Sequence, residues 1–137
     1  MLKTAAFKTW NTIKIAIPMI IGILMLIHIL NPIFQKYYPM LFTRNYFLDP
    51  LIGAIGGSIA FGIPITAYVA GGELLNSGVS LLAVTAFVLA WTTVGIAMLP
   101  LEIKFLSKKL AFWRNALNFI MAIIISILSI LTLNLIT

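Results

Sequence analysis

The stretch of this chain best suited to chemistry is a break in an apolar segment, Gly62-Ile63-Pro64-Ile65-Thr66. Proline removes one backbone donor and moves the preceding residue out of the helical region, so a helix should stop here and another should begin at Pro64. The first amides of that helix would point into the break, where a helix start attracts negative charge. We expect a substrate-binding site formed by Ser58, Gly62, Pro64, Ile65 and Thr66.

Glu73 is the one acid in the same apolar segment. Carboxylates inside membranes often take up protons or cations, which makes Glu73 a candidate coupling residue. It follows Pro64 by nine residues, about 14 Å along a helix. A solvated glutamate at the membrane interface is the alternative interpretation.

Polar side chains also follow the later apolar runs. Thr85 and Thr92 are seven residues apart and share a helical face, and Asn118 and Ser129 belong to a mildly polar stripe. We expect these four residues to line a pathway, although hydrogen bonding between helices produces the same pattern.

Six of the nine glycines lie between residues 50 and 76. Gly53 and Gly57 have the small-xxx-small spacing that allows close helix contact. We expect Gly53, Gly57, Gly71 and Gly72 to serve helix packing.

Other classes of chemistry lack the residues they need. The chain has no cysteine, one histidine and three carboxylates, and no nucleophile–base pair, phosphate loop or metal-spaced cluster. We expect no enzyme activity, no metal site and no cofactor. The basic residues stand in small groups between apolar runs, which argues against nucleic acid as a partner.

The elements that must position these residues belong in a lipid bilayer. Of 137 residues, 62% are hydrophobic and 9% are charged, and the mean hydropathy is +1.13. A soluble domain carries about a quarter charged residues. We therefore predict an all-α integral membrane protein in which residues 1–137 form a single transmembrane domain. The predicted parts are full spans at about 13–31, 79–100 and 116–136, a broken membrane segment at about 50–76, and a basic interfacial segment at 101–115.

The broken segment has two possible courses, which the positive charges help to separate. If it re-enters on one side and the N-terminus is cytoplasmic, seven Lys and Arg lie inside and two outside. If it crosses as part of a four-span bundle with the N-terminus outside, the count is six against three. The re-entrant arrangement is favoured, the four-span bundle remains the alternative, and both predict a multi-pass protein of the cytoplasmic membrane.

Residues 62–115 resemble a known family. The elements are Gly-x-Pro-Ile-Thr, Gly-Gly-Glu-Leu, Val-Thr-Ala-Phe, Ala-Trp and Leu-Pro-x-Glu. They are similar to the predicted permeases related to the organoarsenical efflux permease ArsP, most closely to the half-length members. The resemblance implies a permease-like fold built from two similar halves, of which this chain would supply one.

Three functions follow as hypotheses. The first is a half-size permease subunit that moves a small molecule or ion across the lipid bilayer as an oligomer. The second is a channel-like pore without coupling, and the third is a non-transporting membrane assembly subunit. The partner is expected to be a second copy, as a homodimer or higher homo-oligomer, or a different half-permease.

Overall fold

The computed structural model describes residues 2–35, 42, 45–60 and 63–136, and most of these residues are helical. None of them lies in a β-strand, which confirms the predicted all-α class. The described elements are α1 (Leu2–Gln35), α2 (Leu48–Ile59), α3 (Pro64–Asn76), α4 (Leu81–Thr93), a 3-10 turn (Ile96–Met98), α5 (Leu99–Phe105) and α6 (Lys108–Ile136).

Within the part of the chain that the structure describes, three helical stretches are long and apolar enough to cross a membrane. They are Phe7–Leu26, Leu81–Phe105 and Lys108–Ile136. Each overlaps one of the predicted spans, so the prediction of a multi-pass membrane protein is confirmed at this level.

The distribution of side chains also suits a bilayer. Most buried hydrophobic residues that the structure describes are small, and eight of them are alanines. Large apolar side chains face outward instead: Ile29 is 71% exposed and Phe105 is 76% exposed. Small residues let membrane helices approach closely, and large apolar residues on the outside match the acyl chains of lipid. In water, so much exposed apolar surface would favour aggregation.

Three predicted boundaries need correction. The first apolar helix does not end near residue 31 but continues to Gln35, with Pro32 inside its last turn. The predicted span 79–100 is interrupted, since α4 ends at Thr93 and a new helix begins at Leu99. Pro100 lies in the first turn of that helix, where proline is well tolerated.

The predicted interfacial segment 101–115 is likewise not one element. Its first part completes α5, and its part from Lys108 onward forms the first two turns of α6. The Ser107 hydroxyl accepts a hydrogen bond from the Leu110 amide at 3.3 Å, and this bond helps α6 to begin there. No proline or glycine interrupts α6 afterwards, so it runs on to Ile136.

Helix α4 lies at the centre and contacts α2, α3 and α6. Going along α2, Asp49 meets Ser80, and Gly53 and then Gly57 meet Ala83 and Phe87, so α2 and α4 run parallel.

Helix α3 runs the other way. Pro64 shares a cavity with the end of α4, whereas Gly71 meets Val84 and Val88 nearer its start. Helices α2 and α3 therefore run in opposite directions on the surface of α4, and the chain reverses between Ala60 and Ile63. Glycine explains the close fit of α2, because a Cβ added at Gly53 or Gly57 would collide with the α4 backbone.

Candidate functional site

Two interruptions of helical structure meet in this fold. Ala60 ends α2 with extended angles (φ −65°, ψ 144°), and Ile63 precedes α3 with similar ones (φ −73°, ψ 152°). The second interruption follows α4, where Val94 is extended (φ −104°, ψ 108°) and Gly95 is also non-helical. Ala60, Pro64, Val94 and Gly95 line one cavity of about 220 Å³, which we call the break cavity.

The interruption after α4 has a local cause. Thr92, Thr93 and Val94 are β-branched and are followed by Gly95, so helix propensity falls over four consecutive residues. The threonine hydroxyls also donate back to carbonyls of the preceding turn, Thr92 to Val88 at 3.0 Å and Thr93 to Leu89 at 2.7 Å. Such bonds weaken and bend helices.

Two asparagines of α6 satisfy the backbone that this interruption frees. The Asn115 Oδ1 accepts a hydrogen bond from the Gly95 amide at 2.9 Å. The Asn118 side-chain amide donates to the Thr93 carbonyl at 2.8 Å. Unpaired backbone groups are costly in lipid, so α6 makes the broken course of α4 tolerable.

An ion pair closes one side of the break cavity. Arg114 Nη2 is paired with Glu102 Oε1, and the Asn115 side-chain amide donates to Glu102 Oε2 at 2.8 Å. The Glu102 side chain is 13% exposed and that of Arg114 is 46% exposed. The carboxylate is therefore held on both oxygens, whereas Arg114 keeps donors that can turn toward another group.

The residues predicted to bind substrate have mixed positions. Pro64 lines the break cavity, Ile65 is exposed on α3, and Gly62 lies outside the described residues. The Ser58 hydroxyl donates to the Ala54 carbonyl at 2.7 Å within its own helix.

Thr66 requires a correction. Its hydroxyl and its amide both donate to the Ile63 carbonyl, at 2.6 and 3.0 Å. Thr66 is also fully buried. The expectation that its amide is free for a solute is wrong, because the first turn of α3 uses that donor internally.

The four residues predicted to line a pathway do not share one surface. Thr92 lines the break cavity, Thr85 lines a cavity between α3 and α4, and Ser129 lies in a third depression on α6. Asn118 supports the α4 backbone, as described above. Of the four, Thr92 is the residue that the structure brings to the two interruptions.

Glu73 is half-buried on α3, away from the break cavity. Its backbone carbonyl accepts hydrogen bonds from the Ser77 amide at 2.9 Å and from the Ser77 hydroxyl at 2.8 Å. A coupling role for its carboxylate stays a prediction.

The glycines predicted to serve packing divide into two groups. Gly53 and Gly57 lie against α4 backbone, and Gly71 lies against the Val84 and Val88 side chains. Gly72 is not part of this packing, because a Cβ added there would meet no atom of the described residues within 4 Å.

Sequence reasoning missed Asp49, Glu102, Arg114 and Asn115. Glu102 and Arg114 are twelve residues apart on different helices, and the turn between α5 and α6 brings them together. The run Thr92-Thr93-Val94-Gly95 was the available signal for a second interruption, and a search for polar partners on the last helix would have led to Asn115.

Over the described residues, fold and site together define a helical multi-pass membrane protein in which an interrupted helix and a helical hairpin meet at a small cavity lined in part by Glu102 and Arg114. Comparison of the chain with protein-family models, with curated proteins and with solved structures gives no match.

Proposed function

We propose that this chain is a half-size permease subunit that moves a small polar solute across the membrane, with the break cavity as the solute site. The observation that carries the proposal is the meeting of two helix interruptions around a space that also holds Glu102 and Arg114. Interrupted apolar helices are the best sequence indicator of a transporter binding site, and non-helical backbone at membrane depth is tolerated where it lines a cavity.

We further propose that α2 and α3 form a re-entrant hairpin in the membrane. The arms have 12 and 13 residues, about 18 and 20 Å at 1.5 Å per residue. Crossing takes about 30 Å. Since α6 has 29 residues, about 43 Å, it crosses where a single arm does not. The reversal of direction between Ala60 and Ile63 supports this course.

The same course agrees with the charges. The break cavity lies at the level of Asn115, seven residues or about 10 Å from the basic start of α6. Lys104, Lys108 and Lys109 cluster at this end, which the positive-inside rule assigns to the cytoplasm. The hairpin would then enter from the outer side and end near the inner one.

The cavity chemistry favours a small polar solute. Arg114 offers donors, and Thr92 and Thr93 line the same cavity. About 220 Å³ admits a small molecule of a few heavy atoms rather than a lipid. One copy has few elements around this space, so we propose that a second copy or a partner half completes the pathway, as the permease resemblance implies.

Vesicle transport tests the proposal. Purified protein is reconstituted into liposomes, incubated with a cellular small-molecule extract, and the accumulated solutes are identified by mass spectrometry against protein-free vesicles. Ala60→Trp fills the break cavity and should abolish accumulation, whereas Ile124→Trp, on the lipid-facing side of α6, should leave it intact. Equal accumulation in Ala60→Trp and the unmodified chain would show that the break cavity is not part of the pathway. If the unmodified chain accumulates no solute, the permease proposal fails and a non-transporting assembly subunit is favoured.

A further inference from the structure

Asp49 is an acid that the proposed solute site does not use. Its side chain is fully buried in the first turn of α2. Oδ2 accepts a hydrogen bond from the Ser80 hydroxyl, whereas Oδ1 has no hydrogen-bond partner among the described residues. A buried carboxylate oxygen without a partner carries a large desolvation cost, so such a group normally has a ligand or counter-charge.

The surroundings favour a negative charge at this point. Because α2 and α4 run parallel, their N-terminal ends lie side by side, with Asp49 in one and Ser80 capping the other. The Ser80 Oγ also accepts from the Ala83 amide at 3.3 Å. Helix N-termini carry partial positive charge and stabilise carboxylates, but they offer Oδ1 no donor here.

Asp49 is one of the residues that line a cavity of about 270 Å³. Four of the lining residues have oxygen-bearing side chains: Tyr46 just before α2, Asp49 on α2, Ser80 at the start of α4 and Asn134 near the end of α6. The remaining wall is apolar. Neither lysine nor arginine is among the described residues that line it.

We propose that this cavity is a binding site for a monovalent alkali cation, with Asp49 Oδ1 as its charged ligand. Carboxylate, hydroxyl and amide oxygens are the donors that hard cations prefer. One carboxylate among neutral oxygens balances a single positive charge, whereas calcium sites usually gather several carboxylates. The cation supplies the partner that Oδ1 lacks.

The site lies at the opposite end of α4 from the break cavity. A role as the coupling ion of transport would rest on the proposed permease function. Cation binding itself does not depend on that function. It is measured on purified protein in detergent, without any transport assay.

Binding of ²²Na⁺ and thermal unfolding in NaCl, KCl or N-methylglucamine chloride at constant ionic strength test the site. We expect saturable ²²Na⁺ binding and a rise of Tm in Na⁺ or K⁺ over N-methylglucamine. Asp49→Asn should weaken binding by about tenfold or more. Ser80→Ala leaves the carboxylate in place and should weaken ²²Na⁺ binding less than Asp49→Asn does. This second variant tests the site if Asp49→Asn does not fold.

Two control variants make the result decisive. Glu73→Gln removes the same charge from the same hairpin. If ²²Na⁺ binding is lost in Glu73→Gln but retained in Asp49→Asn, the cation site lies at Glu73 and not at Asp49. Arg44, five residues before Asp49, lies outside the described residues. If Arg44→Gln and Asp49→Asn lower Tm equally and the unmodified chain shows no cation dependence, an internal ion pair replaces the proposed site.

Discussion

The Asn115 side chain joins the Gly95 amide to the Glu102 carboxylate, accepting from one at 2.9 Å and donating to the other at 2.8 Å. A single residue of α6 thus supports both the interrupted backbone after α4 and the charged wall of the break cavity. Asn115 is 6% exposed, so water replaces neither bond readily if the side chain is removed.

We expect Asn115→Ala to destabilise the protein by about 2 kcal/mol, because a buried donor and acceptor lose their partner. Asn118→Ala should cost less, since Asn118 makes one bond at a more exposed site. Thermal unfolding in detergent measures both. Equal Tm values for Asn115→Ala and the unmodified chain would show that the interruption needs no support from α6.

The glycines allow a matched comparison within one hairpin. Gly57→Ala should destabilise by about 1–3 kcal/mol, because the added methyl group collides with the α4 backbone at Phe87. Gly72→Ala adds the same methyl group to open space and should be neutral or slightly stabilising, since alanine favours helix. Chemical or thermal unfolding of the two variants measures this difference in stability. A Gly57→Ala protein as stable as Gly72→Ala would contradict the close α2–α4 contact.

Single cysteines can report the course of the hairpin, because the chain has no native thiol. We expect Lys36→Cys and Asn76→Cys to react with an impermeant maleimide from the outer side, and Lys108→Cys to react after the inner side is exposed. Labelling of positions 36 and 76 from opposite sides would favour the four-span bundle instead.

Glu73→Gln separates a coupled carrier from a pore. If Glu73 couples transport to protons, the variant should retain solute binding and lose accumulation driven by a pH gradient, while downhill exchange continues. Unchanged gradient-driven flux in Glu73→Gln vesicles would remove Glu73 from coupling. The measurement uses the same liposomes as the transport test, with and without an imposed gradient.

The sequence predicted the helix ends and spanning stretches that are determined by neighbouring residues. Pro64 alone is enough to end one helix and start the next, and the apolar runs identify the spanning stretches. The interruption after Thr93 was missed because residues 79–100 form one apolar run in the sequence. The side chain that stabilises the interruption, Asn115, lies twenty residues beyond Gly95. The free Thr66 amide was predicted wrongly because a helix start can bond within its own first turn.

Asp49 was missed for a different reason. It stands beside Pro50 at the edge of the apolar segment, where an acid in a loop is ordinary. Its burial depends on the parallel packing of α2 and α4, which brings Ser80 beside it from 31 residues away. Composition and periodicity carry no information on such a contact, because it is a property of tertiary structure.

The two arms of the hairpin, α2 and α3, pack against α4 in different ways. The first is fastened backbone to backbone through Gly53 and Gly57, whereas the second rests on the ends of the Val84 and Val88 side chains at Gly71. Side-chain ends yield far more cheaply than main chain, so we expect any widening of the break cavity at Pro64 to move α3 relative to α4, with α2 moving as one piece with α4. Hydrogen–deuterium exchange would reveal this as earlier labelling of residues 65–72 than of residues 51–58, and uniform labelling of both arms would exclude it.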